Sequence, residues 1–312
     1  MHVVGNRACA AIIRSRRITG LTPDVIAEPV AEIGPLWHQH HQAALTARPR
    51  RRAVGADAKH KLLFADRLLA TLVHLRHGTP HDVLACWFGV DRSTITRAIG
   101  EVRPLLAERG CTVVPGLKLC GLAEVIDCLG ADGRAGIIDG TQVRVRRSVA
   151  GARTGRSSFP GSKQNAVKSM VLTDAEGRLL LCSPAGPVGC ADITHAWKLG
   201  LVKLAAGGPA VEILADAGCQ GLGAQTGGRV VTPPHRKVKK NPPEWYEEMY
   251  ERRRKAHSSR RVRVEHGIGH LKNRRSLARH HGRREHMGDI IQAVAGPLSH
   301  QQAATMARST RT

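Results

Sequence analysis

The sequence predicts an α/β fold, with a mixed sheet flanked by helices, preceded by an all-α helix-turn-helix domain. Between residues 61 and 106 apolar residues recur at helical spacing, interrupted by short glycine-containing turns. From residue 136 onward, short apolar runs predict strands in alternation with helices. The 312 residues carry a formal net charge of +23 and are 42% hydrophobic, which allows a core and favours a polyanionic partner, nucleic acid first.

The first 57 residues show weak periodicity and end in a basic run, so residues 1–57 are expected to form a basic, partly flexible N-terminal arm. A plain solvated linker explains the same run equally well. No apolar run approaches the roughly 20 residues that span a bilayer, and no signal peptide is predicted. We therefore expect a cytoplasmic, nucleoid-associated protein with no membrane partner.

Residues 58–110 are expected to form the helix-turn-helix domain. The first two helices end at Gly78 and Gly89, and Asp91 is a good N-cap for the third. A last helix that starts with small polar and basic residues is typical of DNA-binding proteins, in which its first side chains reach base edges. A helical bundle with no DNA role is the alternative. The side chains expected to contact DNA are Arg92, Ser93, Thr94, Thr96 and Arg97.

A connector over residues 111–133, with one helix at 122–129, leads to the α/β region over residues 134–302, and residues 303–312 form a tail. The predicted elements of the α/β region are strands at 136–145, 165–173 and 178–183, a helix at 192–204, strands at 211–214 and 229–232, and helices at 243–277 and 287–306. A turn at 174–177 joins the second and third strands as a hairpin.

Two acids lie at the edges of apolar strands, Asp139 in IIDG and Asp216 in ILADAG. Each alone is more typical of a turn before glycine. If their strands are neighbours, the two carboxylates meet at the centre of the sheet, and a helix packed across it can bring Glu265 to them. Three clustered carboxylates repel one another unless divalent cations neutralise them, and hard oxygen ligands favour Mg²⁺ or Mn²⁺. We therefore predict two metal ions, suited to in-line phosphoryl displacement.

Glu265 belongs to a stripe with Arg261, Ile268 and Lys272, whose spacings of four, three and four residues place them on one face of a helix. Arg261 and Lys272 are expected to contact the DNA backbone near the cut. Ion pairing with Glu265 explains both cations equally well.

These segments resemble the DDE-type bacterial insertion-sequence transposases, of the DDE superfamily endonuclease group within the fifth insertion-sequence family. The resemblance covers residues 58–302 and rests on HDVLACWFGVDRSTITRAIGEV, IIDGTQVRV, QNAVKSMVLTD, LADAGCQGLG and RVRVEHGIGHLKN. The last segment is the most specific, because the family's Arg, Glu and Lys at fixed spacing are Arg261, Glu265 and Lys272 here.

The resemblance implies a ribonuclease-H-like catalytic fold in which Asp139, Asp216 and Glu265 form the metal-binding catalytic triad. It also implies strand cleavage and strand transfer at the terminal inverted repeats of an insertion sequence. The partner would be double-stranded DNA, both transposon ends and target. Synapsis of two ends predicts a homodimer or a larger assembly.

The chain departs from the family pattern at four positions, none of them an acid of the triad: Ser258 in place of Tyr, Cys219 and Arg274 in place of aromatic residues, and Gln142 in place of an acid. One alternative is a DNA-binding protein or regulator with an inert catalytic domain, which predicts no metal dependence. The other is a nuclease for RNA or branched DNA with the same triad, which a panel of substrates would separate.

Overall fold

The computed structural model describes residues 15–47, 61–114, 116–145, 166–236, 240–278, 280, 282 and 284–309. The helices are α1 (Arg16–Thr19), α2 (Pro23–Thr46), α3 (Phe64–His77), α4 (His81–Phe88), α5 (Arg92–Glu108), α6 (Leu122–Ala131), α7 (Asp192–Lys198), α8 (Leu201–Gly207), α9 (Leu222–Gln225), α10 (Glu244–Lys272), α11 (Arg275–Ala278) and α12 (Met287–Ser309). The strands are β1 (Cys111–Val114), β2 (Leu117–Leu119), β3 (Gly136–Arg144), β4 (Ala166–Asp174), β5 (Leu179–Cys182), β6 (Gly186–Pro187), β7 (Ile213–Leu214) and β8 (Val230–Val231).

Helices α3, α4 and α5 form the predicted helix-turn-helix region. Gly78 and Gly89 end α3 and α4 in the left-handed conformation, with φ of 64° and 63°, which glycine adopts without steric cost. Helix α5 buries Ile95 and Ile99 against α3 and α4 while its first residue, Arg92, is exposed. The amphipathic pattern read from the sequence therefore fixes which face of α5 remains open.

The main sheet has the strand order β5-β4-β3-β7-β8, and β6 pairs with β4. Strands β3, β4 and β5 are antiparallel neighbours, whereas β7 lies parallel to β3, and β8 parallel to β7. Three antiparallel strands followed by two parallel ones is the order of a ribonuclease-H-like sheet. The predicted fold class, a mixed sheet flanked by helices behind a helical N-terminal region, is confirmed.

The two faces of the sheet are covered by different helices. Ile138 packs with α6 and α8 on one face, whereas its neighbour Ile137 packs with Leu214 and with Val264 of α10 on the other. Because side chains alternate along a strand, Asp139 lies on the α10 face. The long basic helix therefore crosses the sheet on the side where this acid emerges.

Helix α12 joins the N-terminal helices to the sheet. Its residue Ile291 belongs to a core cluster that also contains Val25 of α2, Val102 of α5 and Val171 of β4. The regions predicted as separate domains thus share one hydrophobic core in the structure.

Some elements differ from the sequence predictions. Within the expected N-terminal arm, α2 is a 24-residue helix that contains Pro29 and Pro35, and within the connector β1 and β2 pair as a hairpin. The helix predicted at 192–204 is interrupted at Gly200, where φ is 82°, so α7 and α8 are separate. Helix α12 continues to Ser309, into the expected tail. The remainder of the predicted arm, residues 1–14 and 48–57, lies outside the described residues.

None of the described helices combines the length and apolar character needed to cross a bilayer.

Candidate active site

Asp139 lies within β3, and Asp216 lies two residues after the end of β7, the parallel strand beside it. The register pairs Gly136 with Ile213 and Ile137 with Leu214, so that two residues further along each chain Asp139 is level with Asp216. Both side chains are half-buried, and that of Asp139 is 19% exposed. The strand neighbours assumed in the sequence argument are thus neighbours in the structure.

A third carboxylate, that of Asp192, lies beside them. A Cβ added to Gly140 would lie 2.7 Å from Asp192 Oδ1, and one added to Gly218 would lie 3.0 Å from Asp192 Oδ2 and 3.2 Å from Asp216 Oδ1. The lack of side chains at these two glycines therefore makes room for the acids. Asp192, the first residue of α7, was not among the residues expected at the site.

Lys168 of β4 fixes the carboxylate of Asp192. Its Nζ donates to Asp192 Oδ1 at 2.7 Å and to the carbonyl oxygen of Cys190 at 2.9 Å. The lysine side chain is only 9% exposed, so the pair is held in a mostly dry environment. An apolar strand that contains a single lysine was the available sequence signal for this contact.

Arg261 of α10 reaches Asp139, with 3.2 Å between Nη2 and Asp139 Oδ2. Its Nε is buried and has no hydrogen-bond partner within the described chain. Helical spacing offered Glu265 as an alternative ion-pair partner for Arg261, but in the structure the ion-pair partner of Arg261 is Asp139.

Glu265 lies one helical turn beyond Arg261 and is exposed. Among the described residues, no group of three or more His, Cys, Asp or Glu side chains is close enough to hold a metal ion. The charges that act on Asp139 are those of Arg261, Asp216 and Asp192, and Glu265 is not among them. Lys272, at the end of the same stripe, is also exposed.

Burial raises the pKa of Asp139 above its usual value of 3.8. The Arg261 guanidinium and the backbone N–H of Gly140, which donates to Asp139 Oδ1 at 2.8 Å, oppose this rise, whereas the neighbouring charges of Asp216 and Asp192 add to it. The site therefore concentrates negative charge that needs a counter-cation. Arg261 supplies that positive charge in the structure.

The donor set suits a hard divalent cation. Carboxylate oxygens are the ligands that Mg²⁺ and Mn²⁺ prefer, and Asp139 and Asp216 lie level with each other on adjacent strands. In ligand type, these two aspartates match such an ion.

The four residues at which the chain departs from the family pattern lie in different surroundings. Cys219 is buried directly behind the acids, and burial together with Asp216 and Asp192 raises the pKa of its thiol to about 12, so it stays protonated and inert. Ser258 and Gln142 are exposed, whereas Arg274 is buried on the other side of α10.

The residues predicted to contact DNA occupy the first two turns of α5. Arg92, Ser93, Thr96 and Arg97 are exposed, and Thr94 is half-buried. The hydroxyl of Thr96 hydrogen-bonds His81 at 2.9 Å and donates to the carbonyl oxygen of Arg92 at 3.0 Å. Arg92 lies 3.6 Å from Asp82, a contact between side chains that are both more than two-thirds exposed. The structure thus leaves Arg97 as the least constrained cation of this face.

Two family models match the chain. The helix-turn-helix of DDE superfamily endonuclease matches residues 60–112, and the DDE superfamily endonuclease matches residues 138–296. The comparison with curated proteins found no match.

Two solved structures are similar over most of their length. The "Mos1 transposase paired-end complex with left transposon end" is 9% identical, with a TM-score of 0.20, over 75% of this chain and 84% of that one. The "Crystal structure of the Mos1 Strand Transfer Complex" is 11% identical, with a TM-score of 0.20, over 80% and 87%. A TM-score of 0.20 is too low to establish a shared fold.

The second family match spans just over half of the chain and includes Asp139, Asp216 and the α10 stripe. The chain belongs to the DDE superfamily endonucleases.

Proposed function

We propose that the chain is a transposase that cleaves and transfers DNA strands at the terminal inverted repeats of an insertion sequence, in a reaction that depends on divalent metal. The observation that carries the proposal is the β3–β7 register, which sets Asp139 level with Asp216 on two adjacent internal strands of the sheet. Asp139, Asp216 and Glu265 would hold two Mg²⁺ or Mn²⁺ ions.

Each group of the site has a proposed role in phosphoryl transfer. Bound divalent ions would stabilise the charge on the attacking and leaving oxygens. Arg261 and Lys272 project from the same side of α10 as Glu265 and would bind DNA backbone close to the acids. Lys168 would hold the carboxylate of Asp192 in place beside the other two acids and offset its charge.

The proposed reaction has two steps, strand cleavage and strand transfer. Water attacks the phosphodiester at the element's end, and the bond between phosphorus and the 3′-oxygen breaks, which releases a 3′-hydroxyl. This hydroxyl then attacks a phosphodiester of the target and displaces the 3′-oxygen there. The helical region would position the end through Arg92, Ser93, Thr94, Thr96 and Arg97, and joining two ends would need at least two copies of the chain.

Strand cleavage of duplexes that carry the element's own ends, with Mg²⁺ or Mn²⁺, tests the proposal. We expect cleavage by the wild type and loss to background in Asp139→Asn, Asp216→Asn and Glu265→Gln. Asp127→Asn, which removes an exposed carboxylate of α6, is the matched control and should cleave normally.

Two outcomes would contradict the proposal. Cleavage by all three variants would show that these acids do not catalyse the reaction. Sequence-specific binding without cleavage by the wild type would support the alternative of a DNA-binding protein with an inert catalytic half.

A further inference from the structure

A cleft of about 760 Å³ lies between α1, the end of α3, the β4–β5 turn, the last turns of α10 and helix α12. His266 and His270 of α10 line it. They follow Arg261 by five and nine residues, which turns them about 140° and 180° around the helix from the side that faces Asp139. The cleft is therefore separated from the acids by the thickness of α10.

Arginines dominate the lining of the cleft. Arg178 is neutralised by Asp174, at 2.5 Å, and lies 3.8 Å from Glu176, the one acid among the described residues of the lining. Four other arginines of the lining form no ion pair with any described residue: Arg16, Arg76, Arg274 and Arg275. The cleft thus carries a surplus of positive charge that the described chain does not balance.

Arg76 and Arg274 are held side by side. Gly20, with φ of 73°, lies between them, and a Cβ there would overlap Arg76 Nη1 and approach Arg274 Nη1 to 2.8 Å. Arg274 is 9% exposed, and its Nη1 donates a hydrogen bond of 2.9 Å to the carbonyl oxygen of Thr19. Burial, with the charge of Arg76 beside it, lowers the pKa of Arg274 to about 10.

A buried guanidinium beside a like charge is unfavourable unless an anion compensates it. Arg274 is also one of the four departures from the family pattern, which places this cation where an aromatic residue is common. The arrangement costs stability in the isolated chain, and an anion in the cleft would recover that cost.

The chemistry of the lining points to phosphate and away from bases. The described lining contains no Phe, Tyr or Trp on which a base could stack, whereas guanidinium groups bind phosphate oxygens in pairs. A strand of nucleic-acid backbone brings successive phosphates to such a surface. A single small anion would engage only part of the four arginines.

We propose that the cleft binds the phosphodiester backbone of DNA without regard to base sequence, as a second DNA contact separate from α5. This second contact goes beyond the proposed function, because it involves neither the acids nor the first turns of α5.

Binding of a random-sequence duplex, followed by fluorescence anisotropy over a range of KCl with EDTA present, tests the proposal without requiring metal or cleavage. The double variant Arg16→Gln/Arg275→Gln removes two exposed cations of the cleft. Its control, Arg134→Gln/Lys203→Gln, removes two exposed cations that do not line the cleft. Thermal unfolding of both verifies that they are folded.

We expect the slope of log Kd against log [KCl] to fall by about two in the cleft variant, with affinity weakened about tenfold or more at low salt. The control should change little. Equal slopes in the two double variants would overturn the proposal. A second result would also overturn it, with thermal unfolding repeated in inorganic phosphate. If phosphate raises the Tm of the wild type but not that of the cleft variant, while the two bind DNA equally, the ligand is a small free anion.

Discussion

Arg261 is the residue on which the electrostatics of the acidic site depend. It supplies the cation that faces Asp139, and the carboxylates of Asp216 and Asp192 add to the negative charge there. Its side chain is 17% exposed, so solvent screens this ion pair less than one at the surface. The next residue back, Arg260, pairs with Glu212, and both of those side chains are close to half exposed. Adjacent arginines thus offer a test and its control.

Arg261→Gln should destabilise the metal-free protein by about 1.5–3 kcal/mol at pH 7, whereas Arg260→Gln should cost less than about 1 kcal/mol. Without Arg261 the pKa of Asp139, already raised by burial, rises further. The penalty is fully present above that pKa and is lost as the pH falls and Asp139 becomes protonated. Urea unfolding in EDTA, at pH 7 and at the lowest pH where the wild type folds, measures both effects.

Two results would contradict this account of Arg261. One is an equal loss of stability in the two variants at pH 7. The other is a penalty for Arg261→Gln that does not shrink in acid, which would show that packing of the side chain, not its charge, stabilises the site.

Part of the acidic site could be predicted from the sequence because its signals are local. Asp139 and Asp216 each follow a short apolar run, and the strand order then places them together. Asp192 and Lys168 could not be predicted, because their contact joins residues 24 positions apart across a segment whose path the sequence does not specify. The position of Glu265 depends on how far α10 turns as it crosses the sheet, which helical spacing alone does not fix.

At the scale of elements, the β4–β5 turn determines where α10 lies. Gly177, with φ of 84°, approaches so closely that a Cβ there would be 2.6 Å from the carbonyl oxygen of Arg263. Gly267 of α10 faces the same turn, where a Cβ would be 3.1 Å from Gly177 O. Two glycines thus allow backbone-to-backbone contact, and this contact sets the height of α10 over the sheet.

Gly177→Ala should cost about 3 kcal/mol in total, because left-handed strain and displacement of α10 add. Gly133→Ala is the matched control: its φ is 61°, but a Cβ there meets nothing within 4 Å, so only the strain of about 1–2 kcal/mol remains. Chemical denaturation of both variants gives the difference. Equal costs would show that the turn does not support α10.

Helix α5 carries the surface proposed to face DNA, and Arg97 is its less constrained cation. Arg97→Gln should weaken binding to the element's end by about 1–3 kcal/mol while changing binding to random-sequence DNA much less. Competition between the two duplexes measures the ratio. An equal loss for both would assign Arg97 to phosphate contact alone.

Elements with strong local signals were the ones that could be predicted. The strands β3, β4 and β5 are short apolar runs joined in part by a tight turn, and α3 to α5 have clear periodicity and glycine ends. Helix α2 was missed because Pro29 and Pro35 normally argue against a helix interior and its apolar spacing is weak. Packing of Ile33 and Trp37 into the main core compensates for both prolines.

At the scale of the whole molecule, the N-terminal helices and the sheet cannot be separated cleanly. The core cluster around α12 contains residues of α2, α3, α5, β4 and β5. In addition, the hydroxyl of Ser299 in α12 accepts a hydrogen bond of 2.8 Å from the backbone N–H of Thr112. One continuous core implies that the two parts lose their structure together, although their proposed roles, DNA recognition and catalysis, differ.

Native-state hydrogen exchange should therefore give the slowest amides of α5 and of β4 the same free energy of opening. Ile291→Ala, which truncates a side chain that is 1% exposed in α12, should lower both by the same 2–5 kcal/mol or so. Leu201→Ala is a comparable truncation in the cluster on the opposite face of the sheet. This second variant should also lower the free energy of opening in both α5 and β4. A response confined to α5 or to β4 in either variant would show that the helical and catalytic parts unfold independently despite their shared core.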